Sequence, residues 1–219
     1  MAQYHLRASM VKRSEGRSAI AAAAYRAGEL LYDQRNDLVF DYTRKERVHH
    51  VEIIAPAASP DWVYDRQALW AKVEAAERRY DAQLAREVVV ALPDELSLEQ
   101  NIAVLRDFVR AQFVERGMVA DVAVHESADG HNPHAHILLT TRRLEHDEFG
   151  NKARYWGAKR LLLEWRAEWA RHLNLALQRA GEQARVDHRS YADRELAITP
   201  TVHRGLNDPG ATAMYRARL

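Results

Sequence analysis

The sequence contains no cysteine. That excludes disulfide bracing, a thiolate nucleophile and any cysteine-ligated zinc, so a bound metal must be held by nitrogen and oxygen. No apolar run approaches the ~20 residues that span a bilayer. The opening MAQYHLRASM lacks the hydrophobic core of a signal peptide. A cytosolic protein is expected. The formal net charge is only +1, so a polyanionic partner would have to be recognised by a local patch rather than by the total. No internal repeat is visible. What remains is a chain of 219 residues, long enough to bury the core of one large domain.

Within it, the stretch VAVHESADGHNPHAHILLTTRR concentrates histidine. Alternate side chains of a strand share a face, so His134 and His136 point one way while Ala135, Ile137 and Leu139 point the other. Met118 to His125 reads as a second strand, and the intervening ESADGHNP is rich in turn residues. Antiparallel pairing then sets His125 across from the other two. Three neutral imidazoles on a rigid sheet make a candidate divalent-metal site with open positions, the mark of a catalytic rather than structural centre. His131 lies in the loop, where nothing fixes its direction, and is left out of the ligand set.

The remaining elements follow in chain order. Residues 3–11 alternate as a strand, with His5 and Arg7 on one face. Ser18 is an N-cap for the alanine-rich helix SAIAAAAYRAGEL, which Gly28 ends. On that helix Tyr25 rises from small neighbours. It either packs its ring on the sheet or serves as a nucleophilic phenol, and periodicity does not single it out from the other eight tyrosines. LVFDYT and VHHVEIIAP, around the charged RKER, suggest a β-hairpin. An amphipathic helix is expected from Asp65 to about Leu84 through Leu69, Val73, Ala76 and Tyr80. REVVVALP reads as a central strand opened by Glu87, a candidate to orient a metal-bound histidine.

Ser97 and Gln100 form a capping-box signature for a helix to about Arg116, with Ile102, Leu105, Val109 and Phe113 as its stripe. EHDEFGNK reads as a polar loop. Ala158 to Ala180 is the longest helix, with Leu162, Trp165, Trp169, Leu173 and Leu177 on one face. The chain after Gly181 turns polar, and residues 201–219 read as a tail or linker. The alternation of elements suits an α+β sandwich built on a largely antiparallel sheet. The basic residues Arg7, Lys12, Arg13, Arg17 and Arg26 are candidate phosphate contacts.

These residues resemble the MobA/MobL (MOBQ-type) conjugative relaxases of the HUH endonuclease superfamily. The resemblance runs over about the first 200 residues: MAQYHL, then SAIAAAAYRAG, then REVVVALP, then VHESADGHNPHAHILL. It implies a central five-stranded antiparallel sheet flanked by helices, metal ligation by His125, His134 and His136, and a nucleophilic Tyr25. Glu87 matches the acid thought to orient a ligand; some relatives carry a second acid where this chain has Val89. The implied reaction is metal-dependent, strand-specific nicking at a plasmid transfer origin through a 5′-phosphotyrosine. Mn²⁺ or Mg²⁺ is the expected ion, with Zn²⁺ and Ni²⁺ as alternatives. The implied partners are single-stranded DNA, accessory relaxosome proteins and a type IV secretion coupling protein, and the implied state is a monomer in the donor-cell cytoplasm. Residues 1–200 would form the relaxase domain, and a chain stopping at Leu219 resembles that domain in isolation. Three competitors stay open: a phosphodiesterase that activates water, a rolling-circle replication initiator, and a metal-stapled DNA-binding module without catalysis.

Overall fold

In a computed structural model of the chain, residues 3–126, 132–145, 147–190 and 192–195 are described. Two compact units divide it, 1–188 and 189–219. In the second, Ser190 and Asp193 cap one another across a single turn. His131 and the tail 201–219 lie outside the described residues.

The first unit is an α+β sandwich. Its sheet contains β1 (Leu6–Lys12), β4 (Val48–Ile54), β5 (Gln83–Ala91), β6 (Ala120–His125) and β7 (His134–Thr140) in the order β1-β5-β7-β6-β4, every neighbour antiparallel. The central strand is therefore β7, with the REVVVALP strand β5 beside it. Alternation along β7 decides which side does what. Ala135, Ile137 and Leu139 are fully buried against α3 (Leu98–Gln112) and α4 (Lys159–Arg179), in a core with Phe108, Phe113, Trp165 and Trp169. The opposite face, carrying His134, His136 and Leu138, meets the second core under α1 (Ala19–Ala27) and α2 (Arg66–Ala76). Each face of the sheet is thus closed by a helix pair, which is why its strands read as near-continuous apolar runs.

Helix α1 is held at both ends. At its start the Ser18 hydroxyl accepts from the Ala21 amide and donates to the buried Asp33 carboxylate at 2.9 Å, while the Ala19 amide donates to Glu74 at 2.8 Å. At its end Gly28 takes φ +67° and its N–H returns to the Ala24 carbonyl, a left-handed geometry that favours glycine. Between these anchors Ala19, Ala22, Ala23 and Ala24 are buried. Their small side chains let the helix backbone approach the sheet closely. Helix α3 begins with the expected reciprocal cap, the Ser97 hydroxyl accepting from the Gln100 amide and the Ser97 amide donating to the Gln100 side chain.

Four sequence expectations need correction. LVFDYT and VHHVEIIAP do not pair. β3 (Leu38–Asp41) instead folds back on β2 (Leu30–Asp33), a short strand missed in the sequence, and VHHVEIIAP becomes edge strand β4 on β6. Two apolar runs beside a charged turn satisfied the hairpin pattern, but an apolar run pairs with whichever edge the tertiary fold offers. EHDEFGNK is no loop: β8 (Arg142–Glu145) and β9 (Glu148–Lys152) form a two-stranded ladder across it. The helix expected to reach Leu84 ends at Ala76, and Tyr80 is 79% exposed. Its end is set from a distance, because Arg13 donates to the carbonyls of Glu74, Glu77 and Arg79 and draws that turn out of the helix. Finally, Glu87 does not open its strand; it sits at the middle of β5 and is only 7% exposed.

Candidate metal centre

Strand register builds the centre. His125 pairs directly with His134 across β6 and β7, and Ala123 lies opposite His136. The three rings come together with centroids 5.0–5.7 Å apart. One ligand nitrogen from each lies within 4.8 Å of the others, so the trio could hold a metal ion.

The other nitrogen of each ring is already committed. His125 Nε2 lies 2.6 Å from the Arg26 carbonyl, His134 Nδ1 lies 2.8 Å from the Asn132 carbonyl, and His136 Nδ1 lies 2.9 Å from Glu87 Oε1. A carbonyl or carboxylate only accepts, so each of these nitrogens carries the proton and donates it. The lone pairs are then left on Nδ1 of His125 and on Nε2 of His134 and His136, and such tethering fixes both tautomer and ring orientation for a metal. Burial favours neutral imidazole as well. It lowers His125 to about 3, outweighing the bond to the Arg26 carbonyl, with Lys45 and the other two rings adding repulsion. It lowers His136 likewise, against the pull of Glu87. His125 and His136 are therefore in ligating form at neutral pH.

Arg26 links this centre to α1 twice over. Its carbonyl orients His125, and its guanidinium, on a side chain only 10% exposed, donates from Nε at 2.7 Å and also from Nη2 to Glu87 Oε1, the same oxygen that receives His136. Burial works against ionising Glu87, but the His136 hydrogen bond and the Arg26 charge outweigh it and hold the carboxyl at about 2. One residue earlier, Tyr25 is 49% exposed. It is not packed away beneath the helix, the alternative that composition had left open.

The family model described as MobA/MobL matches residues 17–216. The chain belongs to the MobA/MobL family. Among its relatives, a conjugal transfer protein TraA from Rhizobium radiobacter is 39% identical over 99% of this chain but only 22% of its own length. A mobilization protein MobL from Acidithiobacillus ferridurans is 38% identical over 99% of this chain and 64% of its own. The chain thus spans about a fifth to two thirds of these curated relatives. A solved structure described under the molecular basis of vancomycin resistance transfer in Staphylococcus aureus overlays with a TM-score of 0.81 at 32% identity, covering 87% of this chain and 100% of its own.

For this MobA/MobL member the basic residues separate into two groups. Arg7, Lys12 and Arg17 line one open cleft of about 560 Å³ together with Glu15, Glu87 and His136. Arg17 reaches within 3.7 Å of Glu87, and Lys12 pairs with Glu15 at the surface. Arg13 and Arg26, also expected among the phosphate contacts, are not among the residues lining that cleft and have their guanidinium groups engaged within the protein. Arg13 ties Glu74 and the end of α2, and Arg26 ties Glu87, each through a guanidinium largely shielded from solvent. His5 lies just ahead of β1, its carbonyl accepting from the amide of Ala91, the strand partner of His134.

Sequence reading missed the neighbours of Tyr25. Tyr42 meets it edge-on at 5.2 Å and 87°, and Lys45 Nζ stands 3.9 Å from its ring centroid. Neither signal exists before folding, since both residues lie across a connection from α1. Behind the helices, Asp121 on the histidine face of β6 accepts from Arg66 and from the Trp70 indole, locking α2 to the strand that carries His125. Among the described residues, no helix is long and apolar enough to cross a membrane.

Proposed function

We propose that this chain is a DNA relaxase domain, a metal-dependent nickase and strand transferase acting on single-stranded DNA at a plasmid origin of transfer. One observation carries the reading. Three imidazoles lie close enough together to hold a metal ion, and Arg26, the residue after a half-exposed tyrosine, orients two of the three rings, one through its carbonyl and one through Glu87. Membership in the MobA/MobL family and the mobilisation proteins among its relatives support it.

A divalent ion on His125, His134 and His136 would supply positive charge and a Lewis-acid site for a phosphate oxygen. Neutral nitrogen donors suit Mn²⁺ better than Mg²⁺, which prefers oxygen ligands; Zn²⁺ and Ni²⁺ also fit the set. Glu87 and the Arg26 and Asn132 carbonyls keep the rings in ligating form. Arg7, Lys12 and Arg17 hold the DNA backbone along the cleft. Tyr25 is the nucleophile: its phenolic oxygen bonds to phosphorus, the bond to the 3′-oxygen breaks, and the 5′-phosphate stays on the tyrosine. The phenolic proton passes to a base, and the leaving 3′-oxygen takes one up as a hydroxyl. Because the phosphodiester is exchanged rather than hydrolysed, the same residues can rejoin the strand.

In this reading residues 1–200 are the relaxase domain. The domain works as a monomer in the donor cytoplasm, with relaxosome proteins and a type IV coupling protein as partners. The test incubates the protein with Mn²⁺ or Mg²⁺ and single-stranded oligonucleotides tiled across the transfer origin of its own element. A covalent adduct that maps to Tyr25 is expected. Cleavage to free ends without an adduct would replace this reading with a water-activating phosphodiesterase, and metal-dependent binding without cleavage would replace it with a binding module.

A further inference from the structure

The turn after β3 is built with more care than a connection requires. Asp41 accepts from both the amide and the hydroxyl of Thr43, at 3.0 and 2.7 Å, and the Lys45 amide closes the turn onto the Tyr42 carbonyl at 2.9 Å. The turn seats itself against the end of α1, where the Tyr42 carbonyl and Lys45 Cβ lie 3.7 and 3.8 Å from the position a Cβ on Gly28 would take. From there two side chains reach Tyr25. The Tyr42 ring stands at right angles to it, and the Lys45 ammonium lies over the Tyr25 ring while donating at 2.7 Å to the Tyr25 carbonyl.

The geometry points to Lys45 as a positioning residue for the nucleophile, with Tyr42 as its aromatic partner: together they fix the Tyr25 ring and set a cation against it. This rests on Tyr25 being the nucleophile. An unrestrained half-exposed tyrosine samples several rotamers, and only one of them can align its oxygen with a phosphate. The edge contact and the ammonium remove that freedom from two directions, and the hydrogen bond to the main chain holds the ammonium where it acts. The charge has a second effect, because a cation on the face of an aromatic ring is attracted more strongly as negative charge grows on that ring, as it does when the phenol surrenders its proton. The cost is visible in the lysine itself. Burial, with Arg26 on α1 as a like-charged neighbour, lowers its ammonium to about 8, and it faces His125 on β6 as well. It nevertheless stays largely protonated at neutral pH.

Lys45→Met, Lys45→Arg, Tyr42→Ala and Tyr25→Phe separate the possibilities. Each is measured for single-turnover adduct formation on the cognate oligonucleotide, for binding of that oligonucleotide, and for Mn²⁺ affinity. Lys45→Met is expected to slow adduct formation about 3- to 30-fold, the span that a cation–ring contact corresponds to. DNA and Mn²⁺ affinity should stay within about 3-fold of the parent, so that the loss falls on the chemical step alone. Lys45→Arg should recover most of the rate, which a merely structural role would not predict, and Tyr42→Ala should slow it. An unchanged rate in Lys45→Met overturns the proposal. So does a rate loss matched by an equal loss of DNA affinity, since the lysine is then a phosphate contact. If Tyr25→Phe still forms the adduct, the nucleophile assignment itself falls; if it forms none while Lys45→Met behaves as the parent, only the role of Lys45 falls.

Discussion

Removing one negative charge at Glu87 tests how the centre is held, and the structure sets the size of the effect. The carboxyl sits at about 2 against an ordinary value of 4.5. At about 1.4 kcal/mol per pH unit, that corresponds to roughly 3 kcal/mol of folding stability at neutral pH. The figure agrees with the ~3–5 kcal/mol typically lost when one partner of a buried ion pair is removed. Glu87→Gln keeps the shape and can still accept from His136 and Arg26, so it isolates the charge. For a domain of this size, roughly 2–4 °C accompanies each kcal/mol, so the metal-free variant should melt on the order of 6–12 °C below the parent at pH 7.

The pH dependence follows from the sign of the shift. The folded value lies below the unfolded one, so the contribution is fully present above about pH 4.5 and is lost as pH falls toward 2. Thermal unfolding followed by circular dichroism in a chelator should therefore show a constant gap between pH 7 and 5 and a narrower one at pH 3.5. Calorimetric titration with Mn²⁺ should show affinity lowered about 10- to 100-fold, the usual cost of losing the partner of a ligating histidine. A melting gap below about 2 °C at pH 7, or one that ignores pH, would refute the coupling of Arg26, Glu87 and His136 described here.

Three further outcomes are expected. Tyr25→Phe should abolish the covalent adduct while leaving Mn²⁺ affinity and melting temperature essentially unchanged, as seen by denaturing gel and calorimetry; a persisting adduct would assign the chemistry elsewhere. Substituting Arg7, Lys12 or Arg17 with alanine should each reduce the slope of log affinity against log salt for single-stranded DNA by about 0.7, whereas Arg13→Ala should leave the slope alone and lower stability, because its guanidinium holds Glu74 and the end of α2. Asp121→Ala should cost about 1–3 kcal/mol in urea unfolding, since it leaves the Trp70 indole without an acceptor and Arg66 with only its pairing to Glu29; a loss under 1 kcal/mol would mean that water replaces the carboxylate.

Local chemistry alone determined much of this protein. The His125–His134 pairing, the caps at Ser18 and Ser97, the alanine helix ended by Gly28 and the tryptophan stripe of α4 all follow from interactions between residues close in the chain or from a period that one element imposes, and those signals survive without knowledge of the fold. Tertiary structure decided the rest. Strand VHHVEIIAP was legible, but its partner was not, because β-pairing is chosen by the edge available in space. The basic residues near the N-terminus looked equivalent in sequence, yet Arg13 and Arg26 are spent on buried carboxylates and carbonyls about 60 residues away, while Arg7, Lys12 and Arg17 line the cleft. A charge acquires its role from what it faces once water is removed, and only the assembled sheet and helices determine that.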